Sequence, residues 1–88
     1  MTVRLELTAR LAEVAGFPDR TVQIPAGRTL DDALHDLGPA LGAGLAPGGK
    51  LHPCILVVLD GTACTTSDRA RLLQGGETIR LMLPVAGG

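Results

Sequence analysis

The sequence predicts an α+β domain in which a mixed sheet of four to five strands packs on one main helix. Three observations carry this. Apolar and polar residues alternate over residues 3–7 and again, in part, over 78–83; residues 30–37 form a capped amphipathic helix; and an unbroken apolar run, Ile55-Leu56-Val57-Val58-Leu59, lies between them. Alternation marks a half-buried strand, and an i, i+3, i+4, i+7 stripe marks a helix with one buried face. At 88 residues the chain is a single domain with one modest core. Phe17 is its only aromatic residue, so that core packs by aliphatic interdigitation.

In chain order, Val3-Arg4-Leu5-Glu6-Leu7 is the first strand. Thr8 then precedes a short helix over 9–15, where Leu11, Val14 and Ala15 recur at helical spacing and Gly16 is placed to end it. Residues 20–24 alternate again and Pro25-Ala26-Gly27 stops them, giving a second strand expected to pair antiparallel with the first. Thr29 is a good N-cap, Asp31 and Asp32 complement the helix dipole, and Leu30, Ala33, Leu34 and Leu37 make the buried stripe; Gly38-Pro39 is expected to end this main helix. Residues 39–50 read as a loop with room for one helical turn, its large apolar residues being Leu41 and Leu45. The run 55–59 reads as a strand covered on both faces, and Asp60-Gly61 turns the chain into a short return over 62–64. Residues 67–73 allow one further turn, Gly75-Gly76-Glu77 reverses the chain, and 78–83 form the last strand, ended by Pro84.

Composition excludes several functions. Eight basic and nine acidic residues give a net charge of −1 without a basic face, and aromatic platforms are lacking, so nucleic acid is not an expected ligand. No apolar run reaches the length of a membrane span, and no secretory segment precedes the domain; a cytoplasmic protein with no membrane association is the expectation. Cys54 and Cys64 are too few for a disulfide scaffold and read as small buried or half-buried thiols, with a single bridge as the alternative. Neither forms a recognisable catalytic dyad with a His or Asp, His35 lies off the apolar stripe of its helix, and His52 is open to a structural or a partner-contact role. No Walker loop, dinucleotide fingerprint or metal-ligand cluster occurs, so neither a bound cofactor nor a metal is expected.

The sequence finishes Leu83-Pro84-Val85-Ala86-Gly87-Gly88. A glycine pair contributes little to a fold, because it has no side chain to pack and the most conformational entropy to lose. It suits a different task. Two residues without Cβ let the backbone enter a narrow channel and leave the terminal carboxylate unhindered. Extended, residues 83–88 span roughly 20 Å, and Pro84 restricts φ and so lowers the entropy lost on threading into a partner. Residues 1–83 are therefore read as the folded domain and 84–88 as a flexible tail.

The short helix ending at Gly16, the Thr29-capped helix, the strand closing in Leu59-Asp60-Gly61, the Leu73-Gln74-Gly75-Gly76-Glu77-Thr78-Ile79 approach and the Gly87-Gly88 ending, in this order, resemble the ubiquitin-like β-grasp fold. They resemble most its bacterial sulfur carriers, the MoaD/ThiS family, over nearly the whole chain. That resemblance implies a protein co-substrate rather than an enzyme. Gly88 would be the reacting residue, its carboxylate adenylated with ATP by an E1-like adenylyltransferase and sulfurtransferase and converted to a thiocarboxylate that donates sulfide to an acceptor biosynthetic enzyme. Gly87 would be its required neighbour, and Leu81, Leu83, Pro84, Val85 and Ala86, with Met82, would meet these partners; core packing is the other reading of Leu81, Met82 and Leu83.

The acceptor pathway is open. The length suits the small subunit of molybdopterin synthase or a carrier for cysteine synthesis. Gly48-Gly49-Lys50-Leu51-His52 with the Pro84-to-Gly88 ending looks more like the cysteine carriers, whereas Cys54 and Leu59-Asp60-Gly61 suit the molybdopterin type equally. The family's frequent double proline is replaced by Leu83-Pro84, and a carrier for a specialised sulfur metabolite is a further branch. Two other classes compete: a protein modifier joined to target lysines through Gly88, and an interaction module with an inert tail. Lys50 is the only lysine, so chains could grow at one place only, which weighs slightly against polymers.

Overall fold

The computed structural model describes residues 1–83, and in these the predicted sheet is present with five strands. Strand β1 (Thr2–Leu7), helix α1 (Ala9–Ala15), β2 (Asp19–Gln23), α2 (Leu30–Leu41), a 3-10 turn (Pro47–Gly49), β3 (Leu56–Leu59), β4 (Thr62–Ala63), α3 (Thr66–Arg69) and β5 (Thr78–Met82) follow in that order. The sheet order is β2-β1-β5-β3-β4. The last strand is thus the middle one. It runs parallel to β1, with Leu5 opposite Ile79 and Leu7 opposite Leu81, and antiparallel to β3, with Val57 opposite Leu81. The antiparallel β1–β2 pairing expected from their proximity is present, Val3 facing Val22.

Register decides the two faces. Val3, Leu5, Leu7, Val57, Leu59, Ile79 and Leu81 point to one side and are buried together with Leu30, Ala33, Leu34, Leu37 and Leu41 of α2. The other face carries Arg4, Glu6, Arg80, Leu56, Val58 and Met82, each exposed or half-buried. This corrects the reading of residues 55–59 as a strand covered on both sides. Val57 and Leu59 are buried, whereas Leu56 is 37% exposed, because β3 has the one-sided cover usual in mixed antiparallel sheets rather than helices on both faces.

Helix α2 also departs from expectation. It passes through Gly38-Pro39 and ends after Leu41, where the Gly42 N–H reaches the Gly38 carbonyl at 3.1 Å. Proline disfavours helix in the residue before it partly through a clash with that residue's Cβ, and Gly38 has none. The carbonyl that Pro39 leaves without a donor belongs to exposed His35, where water can satisfy it. Continuing the helix buries Leu41, and the loop beyond buries Leu45 and Ala46. Thr29 caps α2 as expected, in a reciprocal box with Asp32. In α1, Gly16 takes the left-handed conformation at φ 92° and closes onto Ala12, but Val14 is exposed rather than core-facing.

Asp60 and Glu77 tie the far end of the sheet. Asp60, at φ 48°, accepts the Thr78 N–H on its carboxylate at 2.8 Å, and Glu77 accepts the Gln74 and Gly75 N–H groups at 2.7 Å each. Both carboxylates hold the β5 approach in place. Among the described residues no helix is long and apolar enough to cross a membrane.

Candidate functional site at the end of the central strand

Strand β5 delivers the chain to one end of the sheet, beside the start of α1, where the Thr8 N–H donates to the Leu81 carbonyl at 3.2 Å. Leu81 is fully buried, so of its two sequence readings core packing holds and a direct partner contact does not. Alternation turns Met82 onto the open face, half-buried, directly opposite Leu56. Leu83 is 38% exposed and lines a shallow hollow of about 240 Å³ with Arg10, Leu11, Val14, Gly44, Leu45, His52, Cys54 and Ile55. Pro84, Val85, Ala86, Gly87 and Gly88 lie outside the described residues.

Two apolar surfaces therefore meet at Leu83. One is the hollow under α1; the other is the Leu56, Met82 and Val58 strip on the open sheet face. Sequence reasoning missed Leu56 and Val14 for opposite reasons. A continuous apolar run hides its own alternation, and an apolar residue at helical spacing is counted as core unless the helix is known to sit at the edge. The strip is bounded by an ion-pair row. Glu6 accepts from Arg80 Nη2 at 3.1 Å and from Arg4 Nε at 3.1 Å, and Arg4 also faces Asp19 at 3.4 Å. These pairs are half-exposed, so they set charge pattern and orientation more than stability.

The remaining candidate groups do not form a single cluster. His52 sits at the hollow's rim, and its Nδ1 accepts the Cys54 backbone N–H at 3.0 Å, a contact that fixes the ring on its own loop. Both cysteines are free thiols; Cys54 is exposed, correcting the expectation that it is at least half-buried, and Cys64 is half-buried. Burial pushes the Cys64 thiol above its ordinary range, the opposite of what an activated nucleophile requires. His35 and Lys50 line a separate hollow on the α2 side. What the geometry offers at the end of β5 is thus a docking surface; His52 and the exposed Cys54 share the hollow there, but the contact between them is from the Cys54 backbone N–H to the ring, not from its thiol.

A family model described as the ThiS family matches residues 5–88 of the sequence. Among solved structures, SAMP1 from Haloferax volcanii is similar at 32% identity and a TM-score of 0.76, with 100% of each chain covered. Urm1 from Trypanosoma brucei gives 18% identity and a TM-score of 0.71 over 99% of this chain and 95% of that one. A protein-protein complex of subunits 1 and 2 of the molybdopterin-converting factor from Helicobacter pylori gives 18% and 0.63, with 100% of each chain covered. The last two likenesses concern the fold alone. No curated protein matches the sequence.

Proposed function

The chain belongs to the ThiS family and has the ubiquitin-like β-grasp fold, and from that premise we propose that it is a sulfur carrier acting through Gly88. An E1-like adenylyltransferase uses ATP to activate the Gly88 carboxylate: a carboxylate oxygen attacks the α-phosphorus, pyrophosphate leaves, and an acyl adenylate forms. A sulfide-equivalent nucleophile then attacks the carbonyl carbon, AMP leaves, and the resulting thiocarboxylate passes its sulfur to an acceptor enzyme. Gly87 is the neighbour that lets the backbone into the activating site. Pro84, Val85 and Ala86 bridge the distance, while Leu83, with Met82 and Leu56, meets the partner's surface.

One observation carries this reading: the strand that leads into the tail is the central strand, paired on both sides, and it ends between two apolar surfaces. A tail rooted there is presented from a fixed base, and anchoring limits the orientational entropy that docking must overcome. The acceptor belongs to cysteine, molybdopterin or a specialised sulfur pathway; the Helicobacter pylori relative, named as one subunit in complex with another, supports an acceptor that binds the carrier directly.

A second reading is favoured by the 32% identity to a protein called small archaeal modifier protein 1. Here the same activated Gly88 is joined to lysines of other proteins. Both readings begin with adenylation and part afterwards.

The test is pyrophosphate exchange and intact-mass analysis with a purified E1-like adenylyltransferase. The carrier reading expects ATP-dependent exchange and a mass gain matching replacement of one oxygen by sulfur. Deleting Gly88 should abolish both with the melting temperature unchanged. Exchange that persists without Gly88 overturns both readings, and adducts to other proteins with no thiocarboxylate favour the modifier.

A further inference from the structure

Four of the arginines are engaged within the fold. Arg4 and Arg80 meet Glu6, Arg28 meets Asp36, and Arg20 lies over the Phe17 ring at 4.0 Å. Arg69 differs from these. It is half-buried at the end of α3, and among the described residues it has no ion-pair partner. With exposed Lys50, which is likewise unpaired among the described residues, and with His35 and Asp31, it lines a hollow of about 260 Å³. The other two lining residues, buried Leu34 and half-buried Leu51, are apolar. The polar groups come from α2, from the loop after the 3-10 turn and from α3, so the fold gathers two cations and an imidazole against a single carboxylate.

We propose that this hollow binds a tetrahedral oxyanion of the phosphate class, held by Arg69, Lys50 and His35. The site does not depend on activation of Gly88. Arginine presents its donors in a planar fork that matches two phosphate oxygens, lysine adds a compact point charge, and an imidazole nitrogen supplies a further donor. Donors carried by three separate elements suit a group with oxygens on every side better than a planar carboxylate with two. Half-burial of Arg69 beside Leu34 and Leu51 reduces the screening of its charge by water, so an anion there is held more strongly than at a fully exposed patch. A water occupies roughly 30 Å³ of liquid, and the hollow has room for an anion a few times that size. Asp31 opposes binding, which fixes the sign of one outcome: removing its charge tightens the site. Free phosphate and the phosphoryl group of a small phosphomonoester carry the same chemistry, and the experiment separates them.

The test follows the amide resonances of the full chain by NMR while sodium phosphate, sodium sulfate, AMP or sodium acetate is added at constant pH and ionic strength. Phosphate and sulfate are expected to give saturable shifts confined to residues 31–35, 50–51 and 69–70. AMP binding more tightly than phosphate assigns the site to a phosphomonoester, and weaker AMP binding assigns it to the free ion. Arg69→Gln should weaken sulfate binding about tenfold, as losing a hydrogen bond to a charged group does. Lys50→Gln should weaken it by a smaller factor, and Asp31→Asn should tighten it. Arg71→Gln, at an exposed position that lines a different hollow, should change the affinity less than about twofold, because salt screens surface charges that do not touch the ion. The gain expected of Asp31→Asn is a result that a misfolded variant cannot imitate. Absence of saturable shifts with phosphate and sulfate, acetate binding as tightly as phosphate, equal losses in Arg71→Gln and Arg69→Gln, or weaker binding in Asp31→Asn would each overturn the proposal.

Discussion

At the scale of single residues, Leu81 and Met82 are neighbours with opposite duties. Leu81 is at 0% exposure under α2, and Met82 lies on the open face against Leu56. Leu81→Ala should cost about 2–5 kcal/mol in urea unfolding, the range for emptying a buried leucine site. Met82→Ser should stay within about 0.5 kcal/mol of the parent while weakening binding to the activating enzyme proposed above; equal losses of stability in the two variants would contradict the assignment of faces. The sequence allowed both readings of these residues, because alternation shows that neighbours differ but not which of them faces inward. Only the register against β1 and β3 decides it.

At the scale of elements, strands β1, β2 and β5 and helices α1 and α2 were legible because each carries its own periodicity. The misses have physical causes. Five apolar residues in a row concealed the exposure of Leu56, and the Gly38-Pro39 stop failed because a glycine before proline removes much of the clash that ends helices. Gly38 has a second reason to lack a side chain: a Cβ there would lie 2.7 Å from the Gly49 carbonyl oxygen. In an unobstructed helix interior Gly→Ala stabilises by roughly 0.5–1 kcal/mol. Gly38→Ala should instead destabilise by about 1–3 kcal/mol, as overpacking against backbone does, and a rise in melting temperature would show that the loop over 42–54 does not press on α2 as described. Burial of Leu45 and Ala46 in that loop had no periodic signal, since isolated apolar residues among glycines and prolines look alike whether buried or exposed.

At the scale of the whole molecule, the candidate site was legible as chemistry and not as a surface. Gly88 and the tail are proposed from residue types and lie outside the described residues, whereas the two apolar surfaces at Leu83 come from β3, β5, α1 and the 42–54 loop, which only the fold brings together. The sheet's middle strand is also its last in sequence, bonded to β1 across almost the full chain length. A chain cut after residue 77 should therefore lack cooperative unfolding by circular dichroism, while one cut after residue 83 should melt within a few degrees of the parent; a cooperative transition in the shorter chain would show that β5 is dispensable. There is a consequence for biosynthesis. Residues 78–82 are made after the other four strands, so the nascent sheet lacks its middle until they have emerged, and a product that stops before them is exposed to proteases.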